Sequence, residues 1–513
     1  MTSNRKPLFL LLAVVMLAGV FFSQRHLNRQ REEMKLTYRA DMLENAPPFL
    51  AFTTAALGGF RGLISSYLWL RMNELQLDEK YFEMVQLADW ITKMQPRFPA
   101  VWVHQAWNMS YNVSVKFPDH ADRWLWVQRG ITLLRDEGLK YNPEEPLLYH
   151  ELAWHFQHKM GANLDNAHNY YKVMWAAEMN QLLGAKPDFD ALINPQTDEQ
   201  KERTRRLREK YKMDPAAMKR VDQIYGPLEW RLPETHAIYW GWLGLEKTKD
   251  NAARRDLFIK LRRVVYQSMQ LAFMRGRLVE NKYDRAYETS PNLDITAKVN
   301  QSYVDQLAEA TPDMKENVAN GHRNFLKTAI TQLYMHNREK EAVEWLRYFA
   351  QHYADFLRRT EPSVIAGGVN FDKFVLMRVQ EQMGTGGKDK TQSTIEGMLA
   401  RHFYELAIGE DDRAMGFERM ARRIYNLYLE RSAGAEKGRV DLPPYEKIKG
   451  VVLEGMLERS SPQLAARLVS ALGLPPSVLT NLMNRTNRPP VAPRTNGPAT
   501  NLPPPKAVAP PGK

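Results

Sequence analysis

The sequence contains no cysteine. This absence excludes disulfides, thiolate nucleophiles and metal or iron–sulfur sites held by cysteine. No Gly-x-Ser-x-Gly nucleophile elbow occurs in the sequence either. The stretch GTGGKDKT at 384–391 lacks the leading glycine of a phosphate-binding loop, so it is interpreted as a flexible loop. We therefore predict no catalytic residue and no cofactor, and we predict that the chain is not an enzyme.

The stretch HELAWHFQH at 150–158 suggests a metal site, because Glu151, His155 and His158 fall on one face of a helix. The zincin pattern, however, needs two histidines four residues apart with glutamate directly after the first. Here His150 and His155 are five apart, which separates them by about 140° around a helix. We therefore predict no metal, and interpret the histidines as exposed or hydrogen-bonded residues.

Acidic residues are fewer than basic ones, 59 against 71, which gives a net charge of +12. This balance suits an acidic partner or an anionic membrane surface. The charge is dispersed, and no zinc-finger or basic-zipper pattern accompanies it, so no nucleic acid is expected as a partner. The segment 201–212 has seven basic and two acidic residues. It is interpreted as a solvated helix or linker rather than an anion site.

One long apolar run is present, from Leu8 to Phe22. As a helix it covers about 22 Å, short of a hydrocarbon core of about 30 Å, but Ser23, Gln24 and Arg25 could supply the remainder. No small-x-small cleavage site follows the run. It is therefore predicted to be a single-pass signal anchor in a bacterial inner membrane, with the bulk of the chain extracytoplasmic. A cleaved signal peptide and a buried helix are the alternatives.

Two stretches of the chain repeat the same unusual phrase, PRFPAVWVHQAW at 96–107 and PEEPLLYHELAW at 143–154. Each phrase opens with two prolines three residues apart, and the second phrase begins 47 residues after the first. Proline suits the first turn of a helix, so each pair separates one helix from the next. The residues that follow recur with the spacing of one helical face: Trp102, Gln105, Ala106 and Met109 in the first copy, and Tyr149, Leu152, Ala153 and Phe156 in the second.

This pattern resembles the tetratricopeptide repeat, W-x2-L-G-x2-Y…A-x3-F…P over about 34 residues. The second copy matches its first helix, and Ala167 and Tyr171 match A-x3-F two residues late. Leu75, Met84, Ala88 and Ile91 would belong to a preceding repeat, although the first copy is longer than the family's repeat. The resemblance implies an all-α, right-handed superhelix of antiparallel helix pairs after the transmembrane helix. A generic helical domain with one duplicated helix pair is the alternative.

The closing tryptophans, Trp107 and Trp154, each lie five residues after the inward-facing aromatic, about 140° away around the helix. In the family that the sequence resembles, such positions look into the groove that binds a protein or peptide partner. The alternative is that both tryptophans pack against an adjacent repeat. The candidate groove residues are Val103, Trp107, Ser110, Tyr111, His150, Trp154, Gln157 and His158.

The remainder of the chain is also predicted to be helical, without strands, up to a proline-rich disordered tail. The predicted function is a scaffold for protein–protein interaction in a bacterial envelope complex. The alternative is a cell-wall or envelope hydrolase with its active site within 226–485. The predicted organisation is an anchor at 1–24, lead-in helices at 25–65, repeats at 66–190, a basic linker at 191–225, helical regions at 226–360 and 361–486, and the tail at 487–513.

Overall fold

The structure, a computed structural model, describes residues 6–33, 60–248, 255–280, 287–383, 388–432 and 442–478. Within these ranges the chain is mostly helical, which confirms the all-α prediction. Several predicted features lie outside them: most of the lead-in helices at 25–65, the glycines of the loop at 384–387 and the proline-rich tail.

Two compact units make up the chain, Met1–Tyr171 with Trp240–Arg262, and Lys172–Tyr239 with Arg263–Lys513. Up to residue 160 the helices are Lys6–Glu33, Phe60–Leu77, Tyr81–Met94, Pro99–Trp107, His120–Thr132, Leu139–Tyr141 and Pro146–Trp154. Shorter turns extend them, π-helical at Asn108–Val113, Leu133–Gly138 and His155–Met160, and 3-10 at Ser114–Lys116.

The rest of the chain continues with helices of varied length. They are His168–Leu183, Phe189–Ile193, Asp198–Glu209, Pro215–Tyr225, Pro233–Thr248, Arg255–Arg275, Thr296–Glu309, Pro312–Met335, Glu339–His352, Ala354–Thr360, Pro362–Ile365, Phe371–Met383, Lys388–Ile408, Asp411–Ser432, Tyr445–Arg459 and Pro462–Ala471. A 3-10 turn occurs at Leu293–Ile295, and two strands occur at Arg277–Glu280 and Tyr287–Ser290.

The core of the first unit is built from the helical faces that the spacing predicts. Burial of side chains of this size stabilises the fold by about 1.5–3 kcal/mol each. The inward-facing residues of both sequence copies are at most 8% exposed, as are those of the preceding helix pair: Trp102, Gln105, Ala106, Met109, Tyr149, Leu152, Ala153, Phe156, Leu75, Met84, Ala88 and Ile91.

Glycine allows helices to approach closely at two points of this unit. A Cβ at Gly130 would lie 2.8 Å from the Ala106 carbonyl oxygen, and it would also collide with the Ser110 hydroxyl. A Cβ at Gly244 would lie 2.5 Å from the Cβ of Tyr149. Since real Cβ atoms do not approach so closely, both contacts depend on the missing side chain.

The basic segment at 201–212 lies largely on the helix Asp198–Glu209 of the second unit. Its cations pair with nearby carboxylates, as Arg203 does with Glu199 at 2.5 Å and Arg205 with Glu209 at 2.6 Å. These pairs are substantially exposed, so each adds little stability. The segment is a solvated, ion-paired helix face, in agreement with the interpretation from sequence.

The prediction that the chain has no strands is wrong. Arg277–Glu280 pairs antiparallel with Tyr287–Ser290, with Leu278 opposite Thr289 and Val279 opposite Glu288. Each strand has only four residues. A segment this short gives no sustained alternation of apolar and polar residues, which is the signal from which strands are predicted.

The helix Lys6–Glu33 contains the apolar run of the predicted anchor and the start of the predicted lead-in segment. Among its described side chains, apolar ones such as Val14, Met16 and Phe22 are exposed. Measured by length and hydropathy together, none of the helices in the described ranges qualifies as a membrane span.

Candidate partner-binding site

The two helices that carry the repeated sequence begin in the same way. A proline occupies the first turn of each helix. The Trp102 indole donates a hydrogen bond to the Pro96 carbonyl at 2.8 Å, and the Tyr149 hydroxyl donates one to the Pro143 carbonyl at 2.9 Å. Donors and acceptors in the two copies are offset by the same 47 residues. The repeated residues therefore make the same contact in each copy.

Each of these helices continues directly into a six-residue π-helical turn, Asn108–Val113 in the first copy and His155–Met160 in the second. These turns keep the 47-residue offset as well. A π turn closes its hydrogen bonds between residues five apart and so holds more residues than an α turn. Side chains four residues apart therefore stand nearly one above the other at this end of each helix.

The aromatic side chains at these positions form stacked columns. The rings of Trp107 and Tyr111 lie 5.5 Å apart with an 18° angle between their planes. In the second copy the rings of Trp154 and His158 lie 4.5 Å apart at 13°, and His150 stacks on Trp154 at 6.2 Å. Stacking at these distances stabilises each pair beyond the burial of its area.

The two columns are joined through Tyr111 and His158, which occupy equivalent positions of the two copies. The Tyr111 Oη lies 3.1 Å from His158 Nδ1, and the hydroxyl also accepts a hydrogen bond from the Trp154 indole. The direction of the bond to His158 is set by the tautomer of that ring, and the hydroxyl donates when Nδ1 carries no proton. We call the resulting surface the aromatic strip; it consists of Trp107, Tyr111, His150, Trp154 and His158.

The titratable groups at the centre of the strip are held in their neutral forms. Burial lowers the pKa of His158, and the nearby charge of Lys159 lowers it further. Burial also raises the pKa of Tyr111, assisted by the Glu151 carboxylate. A neutral Nδ1 is the form that can accept the Tyr111 proton. The centre of the strip is therefore an ordered, uncharged aromatic surface at neutral pH.

The structure brings most of the predicted groove residues together, but not all of them. Trp107 is 39% exposed, and the other members of the strip are half-buried, as is Val103. Ser110 and Gln157 are only 0% and 5% exposed, so their placement in the groove is wrong. Both lie inside π turns, where the rotation per residue is smaller than 100° and the predicted direction of a side chain is less exact.

A cleft of about 350 Å³ adjoins the strip and shares Tyr111 and His158 with it. We call it the charged cleft. Its other lining residues are Val115, Arg123, Lys159, Leu164, Asp165 and Asn166.

The charged groups of this cleft meet at Asp165. Its Oδ2 lies 2.6 Å from Lys159 Nζ and accepts the Tyr171 hydroxyl at 3.0 Å. Its Oδ1 accepts Arg123 Nη1 at 3.1 Å and the backbone N–H of Ala167 at 2.8 Å. Burial alone would raise the pKa of Asp165, but the Lys159 ammonium and the other donors outweigh it and lower the pKa to about 2.

The sequence did not single out Arg123, Lys159 or Asp165 as site residues. Arg123 is 42 residues from Asp165, so no local spacing links them. The sequence did contain one indication of this site. The first copy is longer than the repeat it resembles because of the segment VKFPDHADR, and Arg123 is the last residue of that segment. That segment contributes two residues, Val115 and Arg123, to the lining of the charged cleft.

The alternative of an active site within 226–485 directs attention to Glu405, a buried carboxylate in the second unit. Burial raises its pKa despite the neighbouring guanidinium of Arg413 at 2.8 Å. Glu405 is 0% exposed and Arg413 is also buried. A substrate would therefore have no access to this carboxylate. Among the described residues, no group of three or more His, Asp or Glu is placed to hold a metal ion.

Comparisons with models of known protein families, with curated proteins and with solved structures found no match.

Proposed function

We propose that this protein is a membrane-anchored helical-repeat scaffold that binds another protein in a bacterial envelope complex, and that the aromatic strip is its binding surface. The observation that carries this proposal is the contact between Tyr111 and His158. Equivalent positions of the two sequence copies meet there and join their aromatic columns. Rigid aromatic side chains lose little conformational entropy on binding and are enriched at the energetic centres of interfaces.

Support for repeat architecture comes from the local structure of the two copies. Helix start, aromatic anchor, buried face and π turn all recur at an offset of 47 residues. Stacked repeats present equivalent positions side by side along one surface. An extended segment of a partner would contact Trp107 and Trp154 in turn.

Support for membrane attachment comes from the helix Lys6–Glu33. Its apolar residues Val14, Val15, Met16, Val20, Phe21 and Phe22 are all more than half exposed. At 100° per residue they point to all sides of the helix rather than to one face. A helix that is apolar on all sides requires an apolar environment around it, and a lipid bilayer supplies one.

The proposal predicts that Trp107→Ala abolishes partner binding without unfolding the protein. Trp107 is the most exposed member of the strip, and its stacking partner Tyr111 remains held by Trp154 and His158. We expect the free energy of unfolding to fall by no more than about 1 kcal/mol. The measurement is affinity capture from detergent-solubilised membranes, followed by quantification of the proteins that co-purify at stoichiometric yield.

The matched control is Trp90→Ala, which removes a tryptophan that is 50% exposed from the helix Tyr81–Met94. A partner that the wild type and this control retain, and that Trp107→Ala loses, supports the proposal. Equal retention by both variants contradicts it. A large fall in the melting temperature of Trp107→Ala would instead show that the tryptophan is a packing residue.

A further inference from the structure

The charged cleft holds more positive than negative charge. Arg123 and Lys159 are its cations, and Asp165 is the only carboxylate among its lining residues. Each oxygen of Asp165 already accepts two hydrogen bonds, so the carboxylate is fully used. Two cations that share one carboxylate leave the cleft with a net charge of +1 while His158 is neutral. This surplus lies partly out of water, where charge acts more strongly.

The walls of the cleft on the solvent side are apolar. Leu164 is 70% exposed and Val115 is 44% exposed, while the exposed Asn166 is the polar residue beside them. A ligand group that fits this arrangement has a negative end for the cations and an apolar body for the walls. The neighbouring rings of Tyr111 and His158 continue the apolar contact onto the strip.

We infer that the charged cleft receives a carboxylate of the partner, so that the segment bound along the aromatic strip is an extended acidic peptide with prolyl or aromatic residues beside the acid. This inference rests on the proposed function of the strip. Extended proline-containing peptides dock on aromatic-lined grooves because little conformational entropy remains to be lost. A carboxylate placed against a guanidinium adds a charge-assisted contact.

Charge argues against the chain's own proline-rich tail as the occupant. Residues 487–513 contain four basic side chains, Arg488, Arg494, Lys506 and Lys513, and no acidic one. A basic segment and a positive cleft repel each other. We therefore assign the cleft to a segment of another protein rather than to this tail.

The test uses full-length protein in detergent and two capped synthetic peptides, one with glutamates placed between prolines and tyrosines and one with glutamine at each glutamate. Titration calorimetry should show tighter binding of the glutamate peptide. Asn166→Asp adds a negative charge to the cleft without removing a structural contact. It should weaken the glutamate peptide about three- to tenfold, and Asn166→Lys should strengthen it. Neither variant should change the affinity of the glutamine peptide.

The outcomes separate this inference from the function on which it rests. Trp107→Ala should weaken both peptides, because it acts through the strip. If both peptides bind with equal affinity and the Asn166 variants change neither affinity, the cleft does not bind a carboxylate, although the strip still binds the peptide. Failure of both peptides to bind overturns the inference, and the capture experiment still reports on the strip. A glutamate peptide that binds only after removal of residues 487–513 would make the tail the occupant.

Discussion

Gly130 lies where the helix His120–Thr132 touches the first copy of the repeated sequence. It faces the backbone of Ala106 and the side chain of Ser110, one helical turn or less from Trp107. Its lack of a side chain fixes the depth at which the two helices meet. The position of the strip's most exposed ring depends on that depth.

We predict that Gly130→Ala destabilises the protein by about 1–3 kcal/mol, because the new Cβ would overlap the Ala106 carbonyl. The matched control is Gly397→Ala in the helix Lys388–Ile408, where nothing lies within 4 Å of the place that a Cβ would occupy. There alanine should stabilise by up to about 1 kcal/mol through its helix propensity. Urea unfolding measures both. Equal effects of the two substitutions would show that the Gly130 contact is not close.

The inward-facing residues could be predicted individually because their spacing follows the α-helix. Trp102, Ala106, Tyr149 and Leu152 are buried as their spacing requires. The outward-facing residues were predicted with the same rotation per residue, which holds only in part within a π turn: Tyr111 lies on the strip as predicted, but its neighbour Ser110 does not. Trp107 precedes its π turn and is exposed, whereas Ser110 lies within the turn and is buried.

At the scale of elements, the helices of the first unit could be predicted but their endings could not. Proline and the apolar period mark where the helices Pro99–Trp107 and Pro146–Trp154 begin. No comparable signal distinguishes a π turn from another turn of α-helix, because both use helix-forming residues. The strands at 277–280 and 287–290 were missed for a related reason, since pairing between them stabilises segments too short to show a period.

The helix Lys6–Glu33 permits a test of membrane attachment. Deletion of residues 1–24 should release a soluble protein that remains helical, since the first unit's buried core lies within the later helices. Full-length protein should stay with the membrane fraction through an alkaline carbonate wash. Far-ultraviolet circular dichroism checks that the released protein is folded.

Deletion of residues 487–513 is the control for this experiment, because that tail is proline-rich and lacks aromatic residues. The shortened protein should remain membrane-bound with an unchanged melting temperature. If full-length protein leaves the membrane in the carbonate wash, the helix is not an anchor.

At the scale of the whole molecule, many of the histidines are buried. Burial is the largest cause that lowers the pKa in each case, and for three of them, His236, His322 and His336, the pKa falls to about 4. The others with a lowered pKa are His104, His155, His158 and His402. Unfolding exposes these rings to water, where they bind protons at an ordinary pKa of about 6.5.

The protein should therefore lose stability in mild acid. A histidine whose pKa is lowered by folding stabilises the fold fully above the unfolded pKa, and this contribution is lost as the pH falls toward the folded pKa. For His236 the loss runs from about pH 6.5 to about pH 4. At about pH 5 it should reach roughly 1–2 kcal/mol for each of the three most shifted histidines.

Urea unfolding at about pH 7.5 and about pH 5 measures this loss. His236→Asn should reduce the dependence of stability on pH, and the control substitution is His120→Asn, at an exposed site. A stability that does not fall between these two pH values would show that the buried rings are already hydrated in the folded protein.

The division into two units could not be predicted from sequence, because each unit combines segments that are distant in the chain. The predicted domains were all continuous. Trp240–Arg262 belongs with Met1–Tyr171, and Gly244 shows why, since its backbone lies against Tyr149. Such a contact between distant residues depends on the missing side chain of Gly244, and it produces no recurring pattern of apolar residues in either segment.

The hydrogen bond between Tyr111 and His158 joins a position to its own counterpart in the next copy. A surface built in this way can be lengthened by duplication of the 47-residue segment, since each added copy brings a column that meets the last one through the same position. The number of copies would then determine the length of the binding surface. If the strip binds a partner as proposed, an added copy would extend the bound length, provided that a tyrosine and a histidine again meet at the joining position.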